Sequence, residues 1–237
     1  MSKSPIAADP PGDLDRLYAY AAWMLGDRAA ALAALRGAIA SSGPGPFFAR
    51  LPALRTTILA HASRHKQTPA RVRTRLDDTL RLGTSLSMKM GPTALRSGVR
   101  RLPVLLTGFM QSCLIAAVQA LPPAQRETFV LLVVLDLPEA EVMALQGDSL
   151  KGFSGVKSRM MRSLGDYIGP RCGHMHVNNP CQCPNRLQHA LDQDFVKLPV
   201  HEAPSDAYPI GAFGDVRQLF AALPPLRLAD AVRRSLG

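Results

Sequence analysis

The sequence predicts an all-α fold, and three observations carry that expectation. Apolar residues recur at helical spacing, as at Leu14, Leu17, Tyr18, Ala21 and Leu25. Hydrophobic residues make up 47% of the chain but aromatics only 5%, which favours Ala/Leu-rich helices. Clusters of Pro, Gly and Ser, such as SSGPGP at 41–46, separate the periodic stretches. At 237 residues the chain can bury a sizeable core. We expect two small helical domains (13–66 and 103–168) joined by a basic linker (67–102), then a C-terminal extension holding Cys and His (169–237).

Residues 1–12 read as a disordered leader with no apolar signal core. Asp13 is placed to cap a first helix ending at Gly26-Asp27. A second helix is expected from Arg28 to about Ala40. A third runs from Phe47 to about Lys66, with Pro52 in its first turn. Within 67–102, Leu76 to Leu82 is the best helical candidate. An apolar helix from Pro103 to Leu121 follows. The longest apolar run, Phe129 to Leu135, is too short to span a membrane and suits a core helix.

Three further helices follow in close order. Leu121-Pro122-Pro123 precedes a mostly apolar helix, Gln125 to Leu135. Asp136-Leu137-Pro138 breaks it, and Glu139 to Gln146 forms the next. A glycine-rich turn from Gly147 through Gly152 and Gly155 then leads to a basic helix opening at Val156-Lys157-Ser158-Arg159. Two helices joined by a turn, the second one basic, fit a helix-turn-helix. Helices are also expected at Gly214–Leu223, ended by Pro224-Pro225, and at Leu226–Leu236.

The order of residues from Leu121 to Ile168 resembles region four of bacterial RNA polymerase sigma factors of the extracytoplasmic-function (ECF) group. That family repeats an LPP-x-x-R-E start, an L-x-x-x-E-[IV]-A helix and a VKSR-x-x-R recognition helix. Here the matching residues are Leu121, Pro122, Pro123, Arg126 and Glu127, then Leu137, Glu141 and Val142, then Val156 to Arg159 and Arg162. The tract from Leu17 to Ala40 is similar to the family's region two, with Leu25, Gly26, Asp27, Arg28 and Ala31 aligned. The family's acidic and Gln positions are replaced by Leu32 to Gly37. Its Trp and Asn in the strand-opening helix are replaced by Leu51 or Leu54 and by Ser63 or His61. The resemblance implies a transcription-initiation protein with core RNA polymerase and promoter DNA as partners, and it allows an anti-sigma factor. It makes Lys157, Ser158, Arg159 and Arg162 the residues that face DNA.

Charge is unevenly distributed. The net charge is +10, and 12 basic but only two acidic residues fall between Arg50 and Arg101. Such a block attracts a polyanion by counterion release, or serves as a linker kept open by self-repulsion. Arg71, Arg73 and Arg75 lie at its centre.

Cys172, His174, His176, Cys181 and Cys183 fall within twelve residues. Thiolates and imidazoles are preferred zinc ligands, and four close a tetrahedral site. Cys172, His174, His176, Cys181 and Cys183 are the candidates for those four positions. The segment also resembles a C-G-H-x-x-P-x-N-P-C-x-C element that follows region four in a subset of the ECF group. His176 stands where that subset carries Asp, which makes it the weakest ligand. A structural zinc clip, a thiol switch using two of the three cysteines, and reduced cysteines without a role all stay open. Cys113, alone in an apolar helix, reads as an inert core residue.

No P-loop, G-x-S-x-G or H-E-x-x-H motif is present, so catalysis is not expected. The chain is expected in the cytoplasm, without membrane insertion. Two rivals to an active sigma factor remain. One is a sigma-like regulator unable to open promoters; the other is a protein-interaction module built on the Cys/His segment and tail.

Overall fold

The computed structural model describes residues 12–43, 45–64, 77, 102–147, 150–196, 198–209 and 211–236. The expected leader, the basic linker and the Arg71, Arg73 and Arg75 cluster lie outside them, apart from Gly12, Asp77 and Leu102. Among the described residues the chain is mostly helical. The only β pairing among these residues is two isolated bridges, Cys172 with Cys181 and Glu202 with Leu228.

Helix α1 spans Asp13–Leu25, with Gly12 as its N-cap, one residue before the expected Asp13. Asp13 and Asp15 instead occupy the first turn, where negative charge suits the helix dipole. Gly26 ends the helix at φ 70°, and a side chain there would strike Gln119, 2.8 Å from a built Cβ. Asp27 then caps α2 (Arg28–Ser42), its carboxylate accepting from Ala29 and Ala30 N–H at 2.9 Å each. α3 spans Phe47–Arg64.

The sequence gives α1 one apolar face, but every residue from Leu17 to Met24 is buried. A helix buried all round lies inside a core rather than on its edge. α1 packs against α2 and α3 on one side and on the other against α4 (Leu102–Gln119) and a π-helical turn, Val130–Val134. Most buried apolar residues of 13–66 and 103–168 therefore belong to one continuous cluster. The two helical units share a core instead of standing as separate domains on a linker. α4 is long and apolar enough to cross a membrane by length and composition, but 61% of that stretch is buried inside this protein.

The expected helix from Gln125 to Leu135 divides in two. α5 covers Pro123–Phe129, and the π turn follows, with Leu135 N–H bonding Val130 C=O five residues back. α6 runs Glu139–Gln146, as expected, and stops at Gly147 with φ 68°. α7 begins at Leu150 and runs to Ile168, six residues earlier than the expected Val156. Gly152 and Gly155 are therefore helical, and only residues 147–149 separate α6 from α7. The predicted long flexible turn is corrected to a short one. Buried Phe153, Met160, Leu164 and Tyr167 fall at helical spacing along α7, and their burial offsets the cost of its three internal glycines, Gly152, Gly155 and Gly165, about 1 kcal/mol each.

Beyond α7 the chain makes α8 (Cys183–Asp192), a helix not anticipated in the sequence, then α9 (Val216–Ala221) and α10 (Asp230–Ser235). The last two are shorter than expected. α9 inserts Phe220 between Trp23 and Phe129, with ring centroids 5.5 and 4.7 Å apart. The tail is thus part of the main core.

Candidate nucleic-acid interface and cysteine cavity

The candidate DNA-facing residues all lie on α7, with Ser158, Arg159 and Arg162 exposed. Among the described residues, none of these three has an ion pair or a side-chain hydrogen bond. Arg159 folds back along the helix, its guanidinium 3.2 Å from where a Cβ on Gly155 would stand. Lys157 differs: its ammonium pairs with Glu139 at 2.5 Å, joining α7 to the first turn of α6. Both partners are largely exposed, so the pair holds the two helices only weakly.

Other residues of the same motif turn inward. Arg126 is half-buried and donates to the carbonyls of Met24, Gln119 and Leu121 at 2.9–3.2 Å, and desolvation lowers its pKa to about 10. Glu127 accepts from Tyr20 at 2.7 Å and takes a bidentate grip from Arg55 at 2.5 and 3.0 Å. Burial pushes the Glu127 carboxyl up, but hydrogen bonds from Arg55, Tyr20 and Gln146 outweigh it and hold the group below its usual range. These two residues tie α1 and α3 to α5. Leu137 and Val142 are core residues, while Glu141 is exposed.

The Cys/His candidates do not stay together. After α7 the chain turns at Gly169, and Cys172 meets Cys181 in a parallel bridge through Gly173 N–H to Cys181 C=O and Cys181 N–H to Arg171 C=O. Asn179 locks this turn, its amide donating to the carbonyls of Gly169 and Cys172 at 2.6 and 2.8 Å. Cys172, Cys181 and Cys183 border one small cavity, which Cys113 of α4 also lines. Burial raises all four thiols, reaching about 11 for Cys181 and about 12 for Cys183, and neighbouring thiols push Cys113, Cys181 and Cys183 further up. Buried thiols of this kind are poor nucleophiles.

His174 faces elsewhere. Its Nε2 lies 2.7 Å from the Tyr208 hydroxyl and its Nδ1 lies 3.3 Å from the Gly211 carbonyl. A carbonyl can only accept, so Nδ1 carries the proton and Tyr208 donates to Nε2. Burial lowers the His174 pKa, consistent with a neutral ring. Tyr208 and Phe213 pack on the imidazole. His176 accepts a local bond from Asn178 N–H at 3.3 Å. Among the described residues no three His, Cys, Asp or Glu side chains are drawn up to hold a metal ion. The predicted quartet of three cysteines and His174 is thus not assembled, because the imidazole is committed to Tyr208 and Gly211. Cys113 stands alone in its apolar helix, and nothing in the local sequence signals its place on the cavity wall.

Comparison with protein-family models, with characterised proteins and with solved structures finds no match.

Proposed function

We propose that this chain is a divergent sigma-like transcription protein of the ECF type, binding core RNA polymerase and reading promoter DNA through α7. One observation carries the reading. α6 and α7 follow one another with three residues, 147–149, between them, and a helix-turn-helix joins its helices by three or four. α7 then offers Ser158, Arg159 and Arg162 on a free face. Arginine can read guanine edges or clamp phosphate, and serine can contact either. Run-off transcription with purified core polymerase tests this reading. Failure to initiate on any promoter selected by the chain itself would sink it.

A second reading, a regulator that binds DNA or polymerase without opening promoters, is favoured by the first helical unit. The exposed positions of α2 are mostly small: Ala29, Ala33, Gly37 and Ala40, with Arg36 the one charged group among them. Leu51 and Leu54, where the family carries an aromatic, are buried in the core. Few side chains on this unit could grip polymerase or stack on an extruded base. Heparin-resistant open-complex formation separates the two readings, since only the first yields it.

A further inference from the structure

The chain has four cysteines, and all four line one cavity of about 30 Å³. Cys113 comes from α4, Cys172 from the turn after α7, Cys181 from the bridge and Cys183 from the first residue of α8. Fifty-nine residues separate Cys113 from Cys172, so sequence proximity does not explain their meeting. A second observation concerns Arg186. It is 95% buried, it acts electrostatically on Cys181, and one guanidinium nitrogen, Nη1, has no hydrogen-bond partner among the described residues. A buried cation with an unused donor needs an anion nearby. Arg171 borders the cavity itself, with its guanidinium paired to Asp77 at 3.4 Å.

We propose that Cys113, Cys172, Cys181 and Cys183 form a four-thiolate site for one soft divalent cation, represented by zinc, with Cys113 in the place expected for His174. Four sulfur ligands in tetrahedral array suit zinc or an iron–sulfur cluster. On binding, four thiols release four protons, and four thiolates with one divalent ion carry a net charge of −2. Buried Arg186, close enough to act on Cys181, offsets part of that charge. The thiols line the wall without meeting at one point, so the ion must draw them inward to about 2.3 Å. The bond set would staple α4 to the start of α8 and fix the C-terminal end of α7. This site stands independently of the DNA-reading proposal.

The full chain, purified in reducing buffer and supplied with zinc, is expected to hold about one ion per molecule, with an all-sulfur shell by X-ray absorption. Cys113→Ser should weaken zinc binding at least tenfold. His174→Gln should leave it within about twofold. The ligand shell is read on the unmodified chain, so the test survives if Cys113→Ser fails to fold. Several results would overturn the proposal: a shell of three sulfurs and one nitrogen with zinc lost in His174→Gln; iron with acid-labile sulfide; no zinc uptake with four freely titrating thiols; or a Cys172–Cys181 disulfide in the metal-free native chain.

Discussion

Arg28 at the start of α2 and Glu202 in the C-terminal segment, 174 residues apart, form an ion pair at 2.5 Å with both side chains buried. The Tyr18 hydroxyl also bonds Glu202 and lies 2.9 Å from His201 Nε2. One end of α10 makes a similar tie, Arg233 reaching buried Asp15 at 3.2 Å. The tail is therefore fastened to the first helices by charge as well as by Phe220.

Removing one member of a buried pair strands the other charge, which costs about 3–5 kcal/mol. Arg28→Ala and Glu202→Ala should each lose stability of that order in urea unfolding. The double variant Arg28→Met/Glu202→Leu should recover much of it, since neither charge then remains buried. Losses below about 1 kcal/mol in both single variants would mean the pair is effectively solvated.

Glu127 makes stability depend on pH. Its folded pKa lies below its unfolded value, so the unfolded chain binds the proton more readily. The contribution is complete above the unfolded carboxylate value of about 4.3 and is lost as pH falls through the folded value. Arg55, Tyr20 and Gln146 are the groups facing it. The urea midpoint should therefore drop steeply in acid for the natural chain and less steeply for Glu127→Gln. Equal slopes would remove Glu127 as the cause.

Most single elements were legible in the sequence because their signals are local. Pro138 and Gly147 bracket α6, and Asp27 caps α2 where the helix break places it. The start of α7 was missed because Gly152 and Gly155 read as a turn. What overrides them is burial of Phe153, a tertiary effect invisible in a local window. α1 was given one apolar face, yet Tyr20 and Trp23 on the other side find partners in Glu127 and Phe220 from distant parts of the chain. The cysteine cavity was half legible: Cys172, Cys181 and Cys183 announce themselves by spacing, but Cys113 and the diversion of His174 depend on how α4 and the tail pack.

Gly147 holds the turn between α6 and α7 at φ 68°, with open space around it. Gly147→Ala should therefore cost stability through backbone strain alone, about 1–2 kcal/mol. Gly147→Asn should cost less, since asparagine tolerates the left-handed region. Thermal melts compare the two. Equal losses would point to a cause other than φ.

The two free arginines and the paired lysine of α7 should separate in DNA binding. Arg159→Ala and Arg162→Ala should each weaken affinity for a selected site by about 1–3 kcal/mol if they touch bases. If they touch phosphate instead, affinity should fall for every sequence and the salt slope should become shallower. Lys157 must give up Glu139 to reach a ligand, so Lys157→Ala should cost less than either arginine change. Glu139→Gln frees that lysine and should tighten binding slightly, more at low salt than at high. Fluorescence anisotropy over a salt series measures all four. Unchanged affinity and slope in both arginine variants would remove α7 as the reading helix, whatever the outcome for Lys157.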